Sequence, residues 1–214
     1  MSSYCPSCLR EQTSDRFCPK CSLELFDKRL KKEVLDFDKE EFVVRYESEN
    51  SGKFSISGMQ DKILLNISEN GSLEASKEIS RYILKPIPSD MRLQKRYDTP
   101  ANEHLSMQIA RQAYGLAVAS CGIVRFRDGE AAYITRRFDR DGAGVKRQKE
   151  DFCQAMGLSE ANGGKNYKYD KSYEEAALFV ASLPAGKILA EEFIERLAFN
   201  YLIANEDAHL KNFA

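Results

Sequence analysis

Apolar and polar positions along the chain change their period near residue 140. In "DKILLNI" (61–67) and "SRYILK" (80–85), short apolar runs rich in Ile, Leu and Tyr lie between turn signals, which predicts two strands. The intervening "SENGSLEAS" contains Asn70-Gly71, a dipeptide suited to the positive φ angles of a tight hairpin turn. Pro86 and Pro88 then stop the sheet, because proline offers no N–H to a ladder. "TPANEHLSMQIARQAYG" (99–115) reads as a helix, with Thr99 as N-cap, Pro100 at the first helical position and Gly115 as the stop. Leu105, Met107, Ile109, Ala110 and Ala113 form its apolar face. "GIVRFRDGEAAYITRRF" (122–138) is a second hairpin, turning at Asp128-Gly129. Beyond it, "QKEDFCQAM", "SYEEAALFVASL" and "LAEEFIERLAFNYLIAN" have helical texture and are joined by Gly- and Asn-rich loops. No internal repeat or low-complexity tract interrupts the series. A β-rich half followed by an α-rich half predicts an α+β protein of two lobes.

Composition narrows the class. The chain has 214 residues, 43% of them hydrophobic and 30% charged, enough to build and cover a core. Its 32 basic and 33 acidic residues leave a net charge of −1, so neither direct nucleic-acid binding nor membrane binding by bulk charge is expected. No apolar run approaches the roughly 18 residues of a membrane span. "MSSYCPSCLR" lacks the apolar core of a secretory signal, and a soluble cytoplasmic protein is expected.

Four of the six cysteines sit near the start as C-x2-C-x9-C-x2-C: Cys5, Cys8, Cys18 and Cys21. In a cytoplasmic setting, clustered pairs point to metal rather than disulfides. Two such pairs complete a tetrahedral thiolate site, and structural zinc fits best, since four cysteines leave no position for a reactive water. Other readings are a different metal, a redox role, or a frayed tag of reactive thiols. The segment is poor in apolar residues, so metal is expected to supply much of its folding energy. The charge-dense stretch that follows, "FDKRLKKEVLDFDKEEFVVRYESEN" (26–50), reads as a solvated connector or, alternatively, a docking surface.

The candidate chemistry lies in the order of parts. "KFSISGMQDK" (53–62) places two serines beside a glycine just before a strand, as if something must approach the backbone closely. A lysine ending a strand follows (Lys85), then a helix glutamate (Glu103), a hairpin, helices, and finally "NEDAHLKN" after an apolar helix. This is the order of parts in a protein-kinase-type phosphotransferase. There a loop covers the nucleotide phosphates, a lysine offsets their charge, a glutamate holds the lysine, an aspartate accepts the attacking hydroxyl's proton, and an asparagine offers oxygen to Mg2+.

"SISGMQDK", "YILKP", "ANEH", "ITRRFDR", "QKEDFCQAMG" and "NEDAHLKN" resemble, in order, the motifs of the HipA family of bacterial serine/threonine kinases, toxins of toxin–antitoxin systems. The likeness covers roughly residues 50–214. The double serine resembles the HipT-like branch, and the cysteine segment is similar to the Cys-rich start of some relatives. The resemblance implies that Ser57, Gly58, Met59, Gln60, Asp61 and Lys62 line the ATP phosphates and that Lys85 contacts them. It implies that Glu103 partners Lys85 and that Arg136, Arg137 and Phe138 lie along the strand segment holding the adenine. Asp207 is the implied catalytic base, with His209 and Lys211 beside the phosphates and Asn212 on Mg2+. His209 has an equal reading as a core histidine that fixes the loop backbone. Ser55 matches the family's autophosphorylated serine, and Ser57 is a second candidate acceptor. Implied cofactors and partners are ATP, Mg2+, structural Zn2+, a cognate antitoxin and a protein substrate, often an aminoacyl-tRNA synthetase in this family.

The expected layout is a zinc knuckle at 1–26, a kinase-like N-lobe at 27–140 and the start of a helical C-lobe at 141–214. The family continues past this point with a metal-binding aspartate, so the chain reads as truncated after the catalytic loop. A non-catalytic pseudokinase or fragment, acting as a zinc-containing interaction module, is the alternative expectation.

Overall fold

The computed structural model describes residues 2–41, 62–76, 80–141 and 144–214. The chain divides into two compact units, 1–146 and 147–214. In the first unit, β1 (Ser3–Tyr4) and β2 (Glu11–Gln12) form a small antiparallel ribbon, followed by α1 (Pro19–Phe26). Then comes an antiparallel sheet of β3 (Ile63–Ile67), β4 (Leu73–Ala75), β5 (Tyr82–Lys85), β6 (Cys121–Arg125) and β7 (Ala131–Arg136). Its strand order is β4-β3-β5-β7-β6. A 3₁₀ turn at Arg96–Asp98 leads into α2 (Thr99–Gln112), which lies against β6 and β7.

Period-two alternation sends Ile63 and Leu65 of β3, and Tyr82 and Leu84 of β5, to the same side, where Ile63 pairs with Leu84 and Leu65 with Tyr82. That face shares one core with Cys5, Phe17, Cys21, Leu25 and Phe26 of the cysteine segment. A fully buried leucine of this kind is worth about 1.5–3 kcal/mol. The segment expected to be too polar to fold without metal therefore also draws on the sheet's apolar face.

Three local expectations are corrected. Asn70-Gly71 joins β3 to β4, not to the 80–85 strand, and β3 lies between β4 and β5. The turn closes over residues 68–72, with Gly71 at φ +81° and its N–H donating to the Ser68 carbonyl at 3.0 Å. Thr99 is the first helical residue rather than the cap. The preceding 3₁₀ turn delivers the chain already helical at Asp98, and no side chain caps the start. The stretch after α1 is not simply solvated: Leu30 and Leu35 are buried, and the Leu35 N–H donates to the Arg125 carbonyl at 2.9 Å.

The buried side of α2 also differs from the apolar face expected. Leu105 and Ile109 are exposed, whereas Pro100, His104, Gln108 and Ala110 are buried. The reason is the surface that α2 meets, which offers backbone carbonyls and a thiol as well as apolar atoms.

The second unit contains α3 (Phe152–Ala155), α4 (Glu160–Gly163), a 3₁₀ stretch at Gly164–Tyr169, α5 (Tyr173–Ala181), α6 (Gly186–Leu202) and a 3₁₀ turn at Leu210–Asn212. Capping boxes start α3 (Asp151 with Gln154) and α5 (Ser172 with Glu175). Phe152, Phe193 and Phe213 pack their rings together at centroid separations of 5.0–5.8 Å, around a core containing Cys153, Ala176 and Leu210. Among the described residues, no helix is long and apolar enough to cross a membrane.

Candidate functional site

Lys85 ends β5 and Glu103 lies one turn into α2, and their side chains form an ion pair between Nζ and Oε1. Both are partly buried, at 22% and 27% side-chain exposure. Lys85 Nζ also sits 5.6 Å from the Tyr133 ring centroid, over the residue paired with Lys85 across the sheet. Burial pushes the Tyr133 phenol well above its ordinary pKa, so the ring stays neutral beneath the ammonium. A pair this exposed contributes on the order of 1 kcal/mol to stability. Its consequence is geometric: it fixes one cation at a strand end. Lys62, just ahead of β3, is half-buried.

Asp207 lies in the short loop between α6 and the last 3₁₀ turn, with its side chain 76% exposed. The Asn212 amide nitrogen donates to the Asp207 carbonyl and, at 3.2 Å, to Asp207 Oδ2. This turns the Asn212 amide oxygen away from Asp207, the orientation in which a hard cation could use it. His209 Nε2 approaches Asp207 Oδ1 at 3.4 Å, while the ring is 9% exposed and meets Tyr169 edge-on at 5.6 Å. His209 Nδ1 is buried with no hydrogen-bond partner among the described residues. Lys211 Nζ donates to the Tyr167 hydroxyl at 3.0 Å, which raises the lysine's pKa. From behind, the Tyr173 hydroxyl donates to the Ala208 carbonyl at 2.6 Å and the Phe152 N–H to the Phe213 carbonyl at 3.0 Å. Asp207, His209, Lys211 and Asn212 thus come together in one fastened loop.

Arg136 forks onto Asp27 at the end of α1, and Arg137 forks onto Asp139 at 2.9 and 2.7 Å while reaching Ser80. The guanidinium of Arg137 holds the Asp139 carboxyl below the usual carboxylate range. Both guanidinium groups are engaged in ion pairs. Phe138 is two-thirds exposed. Ser55, Ser57, Gly58, Met59, Gln60 and Asp61 lie outside the described residues.

The cysteine centre is built from two local structures. Cys5 and Cys8 occupy a turn after β1, closed by the Leu9 N–H donating to the Cys5 carbonyl at 3.0 Å. Cys18 precedes α1 in extended backbone, Pro19 opens the helix, and Cys21 falls in its first turn. The four sulfurs all lie within 4.8 Å of one another. Zinc–sulfur bonds of about 2.3 Å in a tetrahedron need sulfurs about 3.8 Å apart, so the set fits a zinc-sized ion after slight contraction. The Cys18 N–H donates to Cys5 Sγ at 3.3 Å. Hydrogen bonding from Cys21 lowers the Cys5 thiol to about 4, against the opposing pull of burial. Cys21 is correspondingly raised, and burial raises Cys8. A thiolate at Cys5 is the form that a metal would ligate.

The sequence pattern did not pick out the residues that join this centre to β6 and α2. The Ile123 N–H donates to the Pro6 carbonyl at 2.9 Å, His104 Nε2 to the Ser7 carbonyl at 2.8 Å, and Gln112 Nε2 to the Cys8 carbonyl at 2.9 Å. Because a carbonyl can only accept, His104 carries its proton on Nε2. Burial lowers its pKa, favouring the neutral ring. Gln112 also donates to Gln108 Oε1 at 2.9 Å, and Arg111 pairs with Glu24 of α1 at 2.6 Å. Gly122 is required here: a Cβ would come within 2.6 Å of the Phe17 ring and 3.0 Å of the Pro6 carbonyl. The available signal was polar residues at four-residue spacing, His104, Gln108 and Gln112, on a helix with apolar residues elsewhere.

Residues 54–214 match the family model for the HipA-like C-terminal domain. A Haemophilus influenzae protein named "Putative kinase" is 30% identical over 187 residues, covering 84% of this chain and 52% of the relative. The Sinorhizobium fredii protein named "Putative kinase Y4mE" is 31% identical over 172 residues, covering 76% of this chain and 38% of its own length. The chain therefore spans about half the length, or less, of these curated relatives. The solved complex of the Shewanella oneidensis MR-1 toxin–antitoxin proteins HipA and HipB with operator DNA contains a similar chain. The TM-score is 0.54 and the identity 25%, over 86% of this chain and 49% of that one.

Proposed function

We propose that this chain, which belongs to the HipA-like C-terminal domain family, carries the nucleotide-handling and proton-accepting residues of an ATP-dependent serine/threonine protein kinase of a toxin–antitoxin system. The observation that supports this reading most is the Lys85–Glu103 pair, formed between a strand end and a helix. These are the two positions that the order of motifs singles out. In a kinase such a lysine meets the nucleotide phosphates, and a glutamate keeps it extended toward them.

In the proposed reaction a serine hydroxyl attacks the γ-phosphorus of ATP. A new P–O bond forms to serine, the bond to the β–γ bridging oxygen breaks, and ADP leaves. The Asp207 carboxylate accepts the hydroxyl proton. Its exposure leaves it accessible to an incoming hydroxyl, and Asn212 and His209 hold its orientation. Asn212 would offer its amide oxygen to Mg2+, which when bound neutralises phosphate charge. Lys62, Lys85, His209 and Lys211 are the proposed phosphate contacts, with Ser57 to Asp61 as the covering loop. Backbone along Arg136 to Phe138 is the proposed adenine contact. Cys5, Cys8, Cys18 and Cys21 would hold zinc, which when bound supplies folding energy to the amino-terminal segment.

Ser55, Ser57 or both are the proposed acceptors in an autophosphorylation that turns the kinase off. A phosphoserine adds about −1.5 to −2 charge. At 4 Å from a nucleotide phosphate, each pair of unit charges costs about 1 kcal/mol in water-like surroundings and about 4 kcal/mol at an effective dielectric near 20. By analogy with the HipA–HipB–DNA complex, the proposed partner is a cognate antitoxin, and the proposed substrate is a protein serine or threonine. Intact-mass spectrometry of the complete gene product, before and after ATP and Mg2+, tests the scheme. The expected result is one zinc per chain and added phosphate that maps to Ser55 or Ser57 and is lost in Ser55→Ala with Ser57→Ala. Absence of phosphate on either serine would remove the switch, and absence of any phosphoryl transfer to self or to other proteins would remove the kinase.

A further inference from the structure

The turn that carries the first two cysteines is held by its backbone as well as by its sulfurs. Three successive carbonyls, Pro6, Ser7 and Cys8, accept hydrogen bonds from Ile123 of β6, His104 of α2 and Gln112 of α2 respectively. The helix that begins after Cys18 and carries Cys21 is tied to α2 as well, through Glu24 and Arg111 at 2.6 Å. Both halves of the cysteine centre therefore grip the helix that presents Glu103, and His104 is its immediate neighbour. Three bonds from separate donors, the His104 one buried, oppose sliding or rotation of α2 against the turn. Among the described residues, Leu105 and Ile109 on α2 are exposed, while His104 and Gln108 face the bracket side.

We propose that the four-cysteine centre is the device that positions Glu103, with His104, Gln112 and Arg111 as positioning residues. Metal at the cysteines and nucleotide at Lys85 are thereby energetically coupled. This rests on the reading of Lys85 as a nucleotide contact. With the centre intact, α2 is fixed and Glu103 meets Lys85. When the metal is lost, the turn and α1 lose their common anchor, the carbonyl bracket loosens, and the ion pair is no longer enforced. Coupling between two sites is reciprocal, so a nucleotide that favours the paired state must also favour retention of the metal by the same factor.

The test uses the zinc-loaded complete gene product and needs no turnover. Zinc affinity is measured by equilibrium competition with a chromogenic chelator, with and without the β,γ-imido analogue of ATP plus Mg2+, and analogue affinity is measured by calorimetry. Cysteine variants are avoided because they remove core side chains. Gln112→Glu is used instead: it keeps shape but cannot donate to the Cys8 carbonyl, whereas Gln112→Lys retains a donor. The expected result is zinc affinity raised by about 5-fold or more by the analogue, within the usual range of such couplings. That gain should fall toward unity in Gln112→Glu and return in Gln112→Lys. Analogue binding with unchanged zinc affinity would overturn the coupling while leaving the kinase reading standing. Full coupling in Gln112→Glu would overturn the assigned route. Failure of the analogue to bind in any form would remove the kinase reading, and the coupling with it.

Discussion

Lys85 and Asp207 are both charged residues at positions that matter to the proposed chemistry, yet they are supported in opposite ways. Lys85 is held by Glu103, whose helix is bonded to a turn about a hundred residues earlier in the chain. Asp207 is held by neighbours within five residues, Asn205, His209 and Asn212, and by aromatic residues behind the loop. Support from distant segments makes the first sensitive to anything that disturbs the sheet unit's core. Local support makes the second robust, while its carboxylate stays mostly exposed.

The largest effect expected from this contrast is at Asp207. Asp207→Asn keeps the shape and an oxygen acceptor for the Asn212 amide, but removes the base. Phosphoryl transfer by the complete gene product should fall about 10²–10⁴-fold. Thermal stability should change little, because the side chain is mostly exposed. Near-normal transfer in this variant would show that Asp207 is not the proton acceptor.

How much of this was legible in the sequence follows the same division. The cysteine spacing, the β-rich then α-rich order, the strands expected at 61–67 and 80–85 and the helices after 150 are local patterns, and the structure has strands at Ile63–Ile67 and Tyr82–Lys85. The pairing of β3 with β4 was hidden, because a three-residue strand at 73–75 carries too little periodicity to stand out from a turn. Leu30 and Leu35 were masked by the lysines and acids around them. The buried side of α2 could not be read because its partners are backbone carbonyls, which have no sequence signature. His104 and Gln112 look like surface polar residues until Ser7 and Cys8 are placed against them. Arg136 likewise gives no hint that Asp27 is its partner.

An intermediate effect sharpens the comparison from the sheet side. Leu35 is fully buried beneath the edge of the sheet and sits far in sequence from most of its neighbours. Leu35→Ala should cost about 2–5 kcal/mol, read as a lower urea midpoint for the sheet unit. The melting of the helical unit, followed separately through hydrogen exchange of α6, should hardly move. A change of less than about 0.5 kcal/mol in the sheet unit would mean that this stretch behaves as the solvated connector its composition suggests.

The smallest effect probes the local side. Ser172 Oγ accepts the Glu175 N–H at 3.1 Å, and Glu175 Oε2 accepts the Ser172 N–H at 2.9 Å, closing a reciprocal cap on α5. The next residue, Tyr173, reaches across to the Ala208 carbonyl, so the cap also steadies the loop that carries Asp207. Ser172→Ala leaves the Glu175 amide without its acceptor and should cost about 1 kcal/mol. That corresponds to roughly fivefold faster hydrogen exchange at the Glu175 amide. A smaller acceleration should reach the His209 amide, which donates to the Asp207 carbonyl at 2.9 Å. Ser172→Asp, which restores a side-chain acceptor at the cap, should return both amides to slow exchange. Acceleration at Glu175 with none at His209 would mean that the Tyr173 hydroxyl does not carry the cap's stability to the loop. Equal acceleration throughout the sheet unit would contradict the local character of this support, because none of the bonds that hold β5 and α2 passes through Ser172.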